Sequence, residues 1–287
     1  MRIARIFPRK TKATPDDDLV FFGYPRKGAI PEVDEIHVSV TFTEDKTKGE
    51  HLAEIWGGCT GLPIKVGGPA YKQPAGEFIP GMYMKIGYTI TSRGCPNKCW
   101  FCNVHKAQKE FIELPIKDGW IIQDDNLLAC SEQHIREVFE MLKRQPHKAQ
   151  LRGMEAKLLK SWHVELLRDI KLDEIFFAYD TPDDYEPLIE AGKLLNGAGF
   201  TLQKRKTFSY VLVGYQGDTF QAAEKRCIDT LKAGFMPFAM LYMDESGFQD
   251  PGWASFQRSW CRVAAIVSSN KEFFKSIDEI SWEAMLL

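Results

Sequence analysis

The chain has 287 residues, 44% of them hydrophobic and 26% charged, with a formal net charge of −2. This is ordinary globular composition, enough for one large α/β domain with or without a smaller companion, and the near-neutral charge gives no global pull toward nucleic acid or a membrane. No apolar run approaches the roughly 18–20 residues of a membrane span, and residues 1–8 lack the apolar stretch and cleavage site of a signal peptide, so a cytoplasmic protein is expected.

Residues 1–82 read as a small α/β N-terminal unit, truncated and Rossmann-like. Strands are predicted over residues 2–7, 19–22, 35–40 and 63–66, and a helix over 46–56. The Gly- and Pro-rich stretch 67–82 reads as a linker. From residue 83 the pattern becomes a beat of strand then helix, with strands predicted at 88–91, 120–123, 150–152, 174–179, 209–213 and 238–242. They recur roughly every 30 residues, one βα unit each. Ser131 is placed to N-cap a helix whose apolar face is Ile135, Val138, Phe139 and Leu142, spaced i, i+3, i+4, i+7. Thr181-Pro182-Asp183-Asp184 supplies a cap, a proline and first-turn acids for the next helix, which Gly197 and Gly199 can end. Asp218 or Thr219 opens a third, with Phe220, Ala223, Cys227 and Leu231 on one face and Gly234 after it.

Strands alternating with helices imply a parallel sheet under helical cover. About six such units give the expected fold, a partial (β/α)6 barrel of parallel strands over residues 83–245, preceded by the small α/β unit. Residues 246–287 form a C-terminal extension packing on the barrel. Its Phe248, Trp253, Phe256, Trp260 and Trp282 fit either ordinary core packing or closure of the barrel's open side. Two short basic runs, residues 9–12 and 204–206, read as solvated faces.

The cysteines carry more information. There are seven, an odd number, and three fall within eight residues. In a reducing compartment, clustered thiols point to metal or redox chemistry and not to a disulfide framework. The segment Ser92-Arg93-Gly94-Cys95-Pro96-Asn97-Lys98-Cys99-Trp100-Phe101-Cys102 spaces them Cys-x3-Cys-x2-Cys, in the loop after the first barrel strand. Three thiolates hold three irons of a cubane and leave the fourth open to chelate a substrate, whereas a fourth thiolate would close the site. Gly94 and Pro96 help the loop turn tightly. A zinc site with His105 as fourth ligand is the competing reading of the same residues.

The Cys-x3-Cys-x-aromatic-Cys loop, with Phe101 as the aromatic, at the start of a βα series, resembles the radical SAM superfamily. The resemblance covers roughly residues 85–245. It implies a [4Fe-4S] cluster on Cys95, Cys99 and Cys102. It implies that S-adenosylmethionine (S-adenosyl-L-methionine, SAM) is cleaved reductively to methionine and a 5′-deoxyadenosyl radical, which takes a hydrogen atom from a substrate. A reducing partner such as flavodoxin or ferredoxin is implied with it.

Further site residues follow from the same resemblance. The Phe101 backbone lies beside the adenine. Asp124, Asp125 and Asn126 stand where many members carry a Gly-Gly-Glu type segment, so that Asp124 or Asp125 takes SAM's amino group. Glu155 stands at a polar contact to SAM, Asp180 at the ribose hydroxyls, and Gly214 lets the backbone approach the adenine. Each has a local alternative: turn chemistry for 124–126, a first-turn acid for Glu155, and a capping partner to Thr181 for Asp180. One departure from the family is expected. Too few residues separate Cys102 from the second barrel strand for a full crossover helix.

The other cysteines, Cys59, Cys130, Cys227 and Cys261, form no pair at x2 spacing, so a second cluster is unsupported. Cys227 reads as core. Cys130 could approach the site and Cys261 could donate a hydrogen atom to a substrate radical. The N-terminal unit resembles a truncated cobalamin-binding domain, but Glu35-Ile36-His37 keeps only the histidine of the Asp-x-His-x-x-Gly signature, so cobalamin is not expected. The resemblance names no substrate. The basic runs motivate a nucleic acid or nucleotide, and a small metabolite or peptide is the other option. The competing function is a metal carrier, either a zinc module or an iron–sulfur electron carrier, without SAM chemistry.

Overall fold

The computed structural model describes residues 1–25, 32–72, 76–243 and 250–279. The chain divides into two compact units, Met1–Gly119 and Trp120–Leu287, and is α/β with parallel sheets.

The first unit opens with four strands, β1 (Ile3–Phe7), β2 (Val20–Phe22), β3 (Glu35–Ser39) and β4 (Ile64–Gly67), and one long helix, α1 (Lys46–Thr60). The sheet order is β2-β1-β3-β4 and every pairing is parallel. Side chains alternate across a strand, and the sequence exploits this. Ala4, Ile6, Ile36 and Val38 form a buried core with Leu52 and Trp56 of α1. The indole N–H of Trp56 donates to the Gly23 carbonyl at 3.0 Å.

The alternate residues at the centre of the sheet are polar. Arg5 stands opposite His37 and His37 opposite Lys65 in register. The stretch expected to be a linker is fastened to this polar row. Arg5 donates to the carbonyls of Gly81 and Met82 at 3.3 and 3.2 Å. The Tyr83 ring stacks on His37 with centroids 5.9 Å apart and its hydroxyl bonds His37 Nδ1. Glu35 lies 3.0 Å from His37 Nε2 and 2.7 Å from Lys65. The basic run at 9–12 is also engaged. Arg9 pairs with Asp45 and Glu44 and lies over the Phe42 ring, and Lys10 lies over Phe22.

The rest of this unit holds β5 (Tyr88–Thr89), β6 (Ser92–Arg93), α2 (Val104–Ala107) and β7 (Ile112–Glu113). The single strand expected at 88–91 is thus split. β6 leaves it to pair antiparallel with β7, Ser92 opposite Glu113 and Arg93 opposite Ile112. The crossover helix is reduced to the four residues of α2, the shortening that the loop length predicted.

The second unit runs β8 (Ile121–Ile122), α3 (Glu132–Lys143), β9 (Ala149–Leu151), α4 (Ser161–Arg168), β10 (Leu172–Tyr179), α5 (Tyr185–Gly197), β11 (Thr207–Val213), α6 (Phe220–Lys232), β12 (Met236–Leu241), and then α7 (Pro251–Trp260), α8 (Val263–Ser269) and α9 (Lys271–Glu279). Its five strands lie side by side in the order β12-β11-β10-β9-β8, all parallel. The helix starts behave as their residues dictate. The Ser131 hydroxyl accepts from His134 N–H at 3.3 Å, and that of Thr219 from Ala222 N–H at 3.2 Å. The apolar face of α6, Ala223, Cys227 and Leu231, shares one core with Val211, Val213 and Ala239. Burial pushes the Cys227 thiol up, so it is inert packing.

Sequence patterning missed α4 and the three terminal helices. Trp253, Phe256 and Trp260 of α7 join the same core, with Trp253 4.3 Å from the Phe220 ring. Phe248 and Trp282 lie outside the described residues. Among the described residues no helix is long and apolar enough to cross a membrane.

Candidate metal centre and strand-end site

The cysteine segment is the long loop of a hairpin. β6 and β7 form its neck, closed further by Leu114 N–H donating to the Thr91 carbonyl at 2.8 Å. Gly94 sits at the mouth with φ +84°, and a Cβ there would lie 2.5 Å from the Glu110 carbonyl oxygen. Only glycine admits both that dihedral and that approach. Within the loop, Cys102 N–H donates to the Cys99 carbonyl at 3.1 Å, and Val104 N–H reaches Cys102 Sγ at 3.4 Å. All three cysteines are half-buried. Phe101 is half-buried and meets the exposed Trp100 edge-on at 5.4 Å.

A hollow of about 360 Å³ opens in the same loop, lined by Cys95, Pro96, Lys98, His105, Lys109 and Phe111. His105 Nδ1 is buried with no hydrogen-bond partner among the described residues. Among those residues no three His, Cys, Asp or Glu side chains are gathered closely enough to hold a metal ion. The loop supplies three thiols and the His105 imidazole as donors, and for the thiols to hold one metal centre their side chains would have to turn toward one point.

The remaining expected site residues lie at strand ends of the second unit. Asp124 and Asn126 are buried, and Asp125 is half-buried between them. Asn126 donates to Glu155 at 2.6 Å, so the loops after β8 and β9 meet here, and Lys157 pairs with the same carboxylate at 2.6 Å. Gly153 makes the meeting possible. Its φ is +70°, and a Cβ would fall 2.1 Å from the Asp124 carbonyl oxygen.

Asp180 follows β10, but the cap expected of it is made by Asp184. The Asp184 carboxylate accepts from the backbone N–H groups of Asp180 and Thr181 and from the Thr181 hydroxyl at 2.8–3.0 Å. The Asp180 carboxyl is pushed up to about 7 by burial and by the charge of Asp184. A hydrogen bond from the Leu212 backbone and the charge of Arg226 pull weakly the other way.

Gly214 follows β11, and what lies against it is the Trp253 ring, with Leu241 beside it; a Cβ would be 3.1 Å from the indole and 2.7 Å from Leu241. Cys130 is buried in the turn after Leu127–Ala129. Cys261 caps the end of α7, its sulfur 3.8 Å from the Arg258 carbonyl.

Two polar groups of the second unit escaped sequence reasoning. Arg226 of α6 is buried, donating to the Leu212 carbonyl at 2.9 Å and to the fully buried Asp218 carboxylate at 2.7 Å. Asp218 also accepts from Gly214 N–H at 2.9 Å, which fixes the turn after β11. The signal was present, since Arg226 follows Ala223 by three residues and so shares its buried face. Arg152 lies 4.7 Å over the Phe176 ring and donates to Tyr210 Oη at 2.9 Å and to Glu174 at 2.6 Å. Neither a scan against models of protein families nor a search of curated proteins finds a match to this chain.

Proposed function

We propose that this chain is a radical SAM enzyme, holding a [4Fe-4S] cluster on Cys95, Cys99 and Cys102 and using it to cleave SAM reductively. The observation that carries the reading is the cysteine loop itself: three half-buried thiols at Cys-x3-Cys-x2-Cys, borne on a hairpin that follows β5 at the head of a βα series. The series is read as a partial (β/α)6 barrel. When bound and reduced, such a cluster supplies the electron that splits SAM.

The chain's own residues have separate tasks. Gly94 and the β6–β7 neck fix both ends of the loop, so the three sulfurs are carried by one short segment. Val104 N–H steadies Cys102. By the resemblance, Asp124, Asp125, Asn126, Glu155, Asp180 and Gly214 are the SAM contacts. The Asn126–Glu155 bond ties two of them into one unit.

The test is anaerobic iron reconstitution followed by dithionite and SAM, with 5′-deoxyadenosine measured by mass spectrometry. Deoxyadenosine is expected from the intact chain and none from the variant with Cys95, Cys99 and Cys102 changed to alanine. A second reading rests on His105, whose Nδ1 is buried without a partner beside Cys95. It makes the loop a zinc site. Stoichiometric zinc, with no iron uptake and no SAM cleavage, selects it.

A further inference from the structure

The whole chain is slightly acidic, but its cysteine loop is not. From Ser92 to Glu113 the hairpin carries Arg93, Lys98, Lys106 and Lys109 against two carboxylates, Glu110 and Glu113. The two basic runs that stood out in the sequence differ from this one. Arg9 is spent on Asp45 and Glu44, and the run 204–206 includes a tight turn with Arg205 at φ +52°. In the cysteine loop Lys98, Lys106 and Lys109 are all exposed. Lys98 and Lys109 stand on opposite arms of the loop yet line one hollow of about 360 Å³, with Phe111 and His105 beside them. Two residues from Lys98, the Trp100 side chain is 56% exposed, an indole presented to solvent from a loop otherwise rich in charge.

Lysines about a concave surface with an exposed aromatic ring next to them match the needs of an unpaired polynucleotide. The lysines meet phosphates, and the ring stacks on a base whatever its identity. A base pair would hide that stacking face, so a single strand fits better than a duplex. An acidic protein partner would use the same charge and would cover the same ring, and it is one of the outcomes of the binding test. We infer that the cysteine loop is a docking site for single-stranded nucleic acid, with Lys98 and Lys109 on the phosphodiester backbone and Trp100 stacked on a base. This deepens the radical SAM reading, on which it rests for the chemistry, by naming the substrate class.

Binding is measured on the purified full chain without iron or SAM, by fluorescence anisotropy of a short fluorescein-labelled single-stranded RNA and its DNA counterpart. Inorganic phosphate and a mononucleotide serve as competitors. Binding is expected to weaken by about tenfold or more between low and physiological salt. It should weaken by a similar factor in Lys98→Glu/Lys109→Glu and be retained in Lys98→Arg/Lys109→Arg. Trp100→Leu should lose about five- to tenfold without changing the salt slope. Circular dichroism confirms that each variant is folded.

No binding overturns the inference. So does binding that survives the charge reversal, equal competition by inorganic phosphate, or binding of an acidic flavodoxin alone through the same lysines. Because no iron or SAM is present, failure here with deoxyadenosine still formed sinks only this inference. Oligonucleotide binding without SAM cleavage sinks only the radical SAM reading.

Discussion

Asp180 and Arg226 show how one residue's surroundings decide its chemistry. Both lie near the ends of β10 and β11, and both are charged types set into the interior. Arg226 keeps its charge because Asp218 and a carbonyl receive it. For Asp180 the charge of Arg226 counts for less than burial and the neighbouring Asp184 carboxylate, so its proton is held up to about 7. Between the ordinary carboxylate value of 3.8 and about 7 the folded chain keeps a proton that the unfolded chain has released. The stability from this group is therefore complete below the ordinary value and is lost as pH rises through about 7. His163 works in the opposite sense. Burial pushes it down to about 4, so its contribution is present above 6.5 and lost as pH falls through about 4. Working above about pH 6.5 separates the two. Asp180→Asn is expected to gain stability over the parent chain as pH rises from about 6.5 to 8, by about 1 kcal/mol, the rest of the effect falling below that window. Urea midpoints at the two pH values check it, and a constant difference would mean that Asp180 is ionised throughout.

Among the elements, the short loops after β8 and β9 matter most, because they bring Asn126 to Glu155. Gly153 is the contact point, with both a left-handed φ and no room for a Cβ. Gly153→Ala is expected to lose about 2 kcal/mol or more, read from urea unfolding, and to lower the affinity of the loaded chain for SAM. An unchanged midpoint would show that the two loops can part without penalty. The hairpin β6–β7 is the other element of consequence. A strand of four residues was expected at 88–91, yet β5 stops at Thr89 and the chain pairs antiparallel from Ser92. Two-residue strands carry too little alternation to register in a sequence pattern. α4 escaped for a related reason. Its first residue follows Lys160 and not one of the favoured capping types, and its start is stabilised instead by His163 Nδ1 accepting from Lys160 N–H at 2.9 Å.

At the scale of the molecule, the metal reading has a consequence that needs no catalysis. A cluster that binds the folded loop and not the unfolded chain must stabilise the fold. The iron-loaded chain is expected to melt a few degrees above the iron-free chain, and the difference should vanish in the triple cysteine-to-alanine variant. Identical melting curves would place the iron outside the folded site.

The sequence by itself determined the strand–helix beat, the helix starts at Ser131 and Thr219, the shortened first crossover and the cysteine loop. Each of these is written in local spacing: a period, a cap, a loop length, three thiols in eight residues. Tertiary structure decided the rest. It fastened the Gly- and Pro-rich stretch to the polar row of the first sheet through Arg5 and Tyr83. It set Trp253 against Gly214, joined Asn126 to Glu155, and placed Lys98 and Lys109 about one hollow. These are meetings of residues far apart along the chain or on opposite arms of a loop. They depend on the folded path of the backbone, which no local period, cap or spacing encodes.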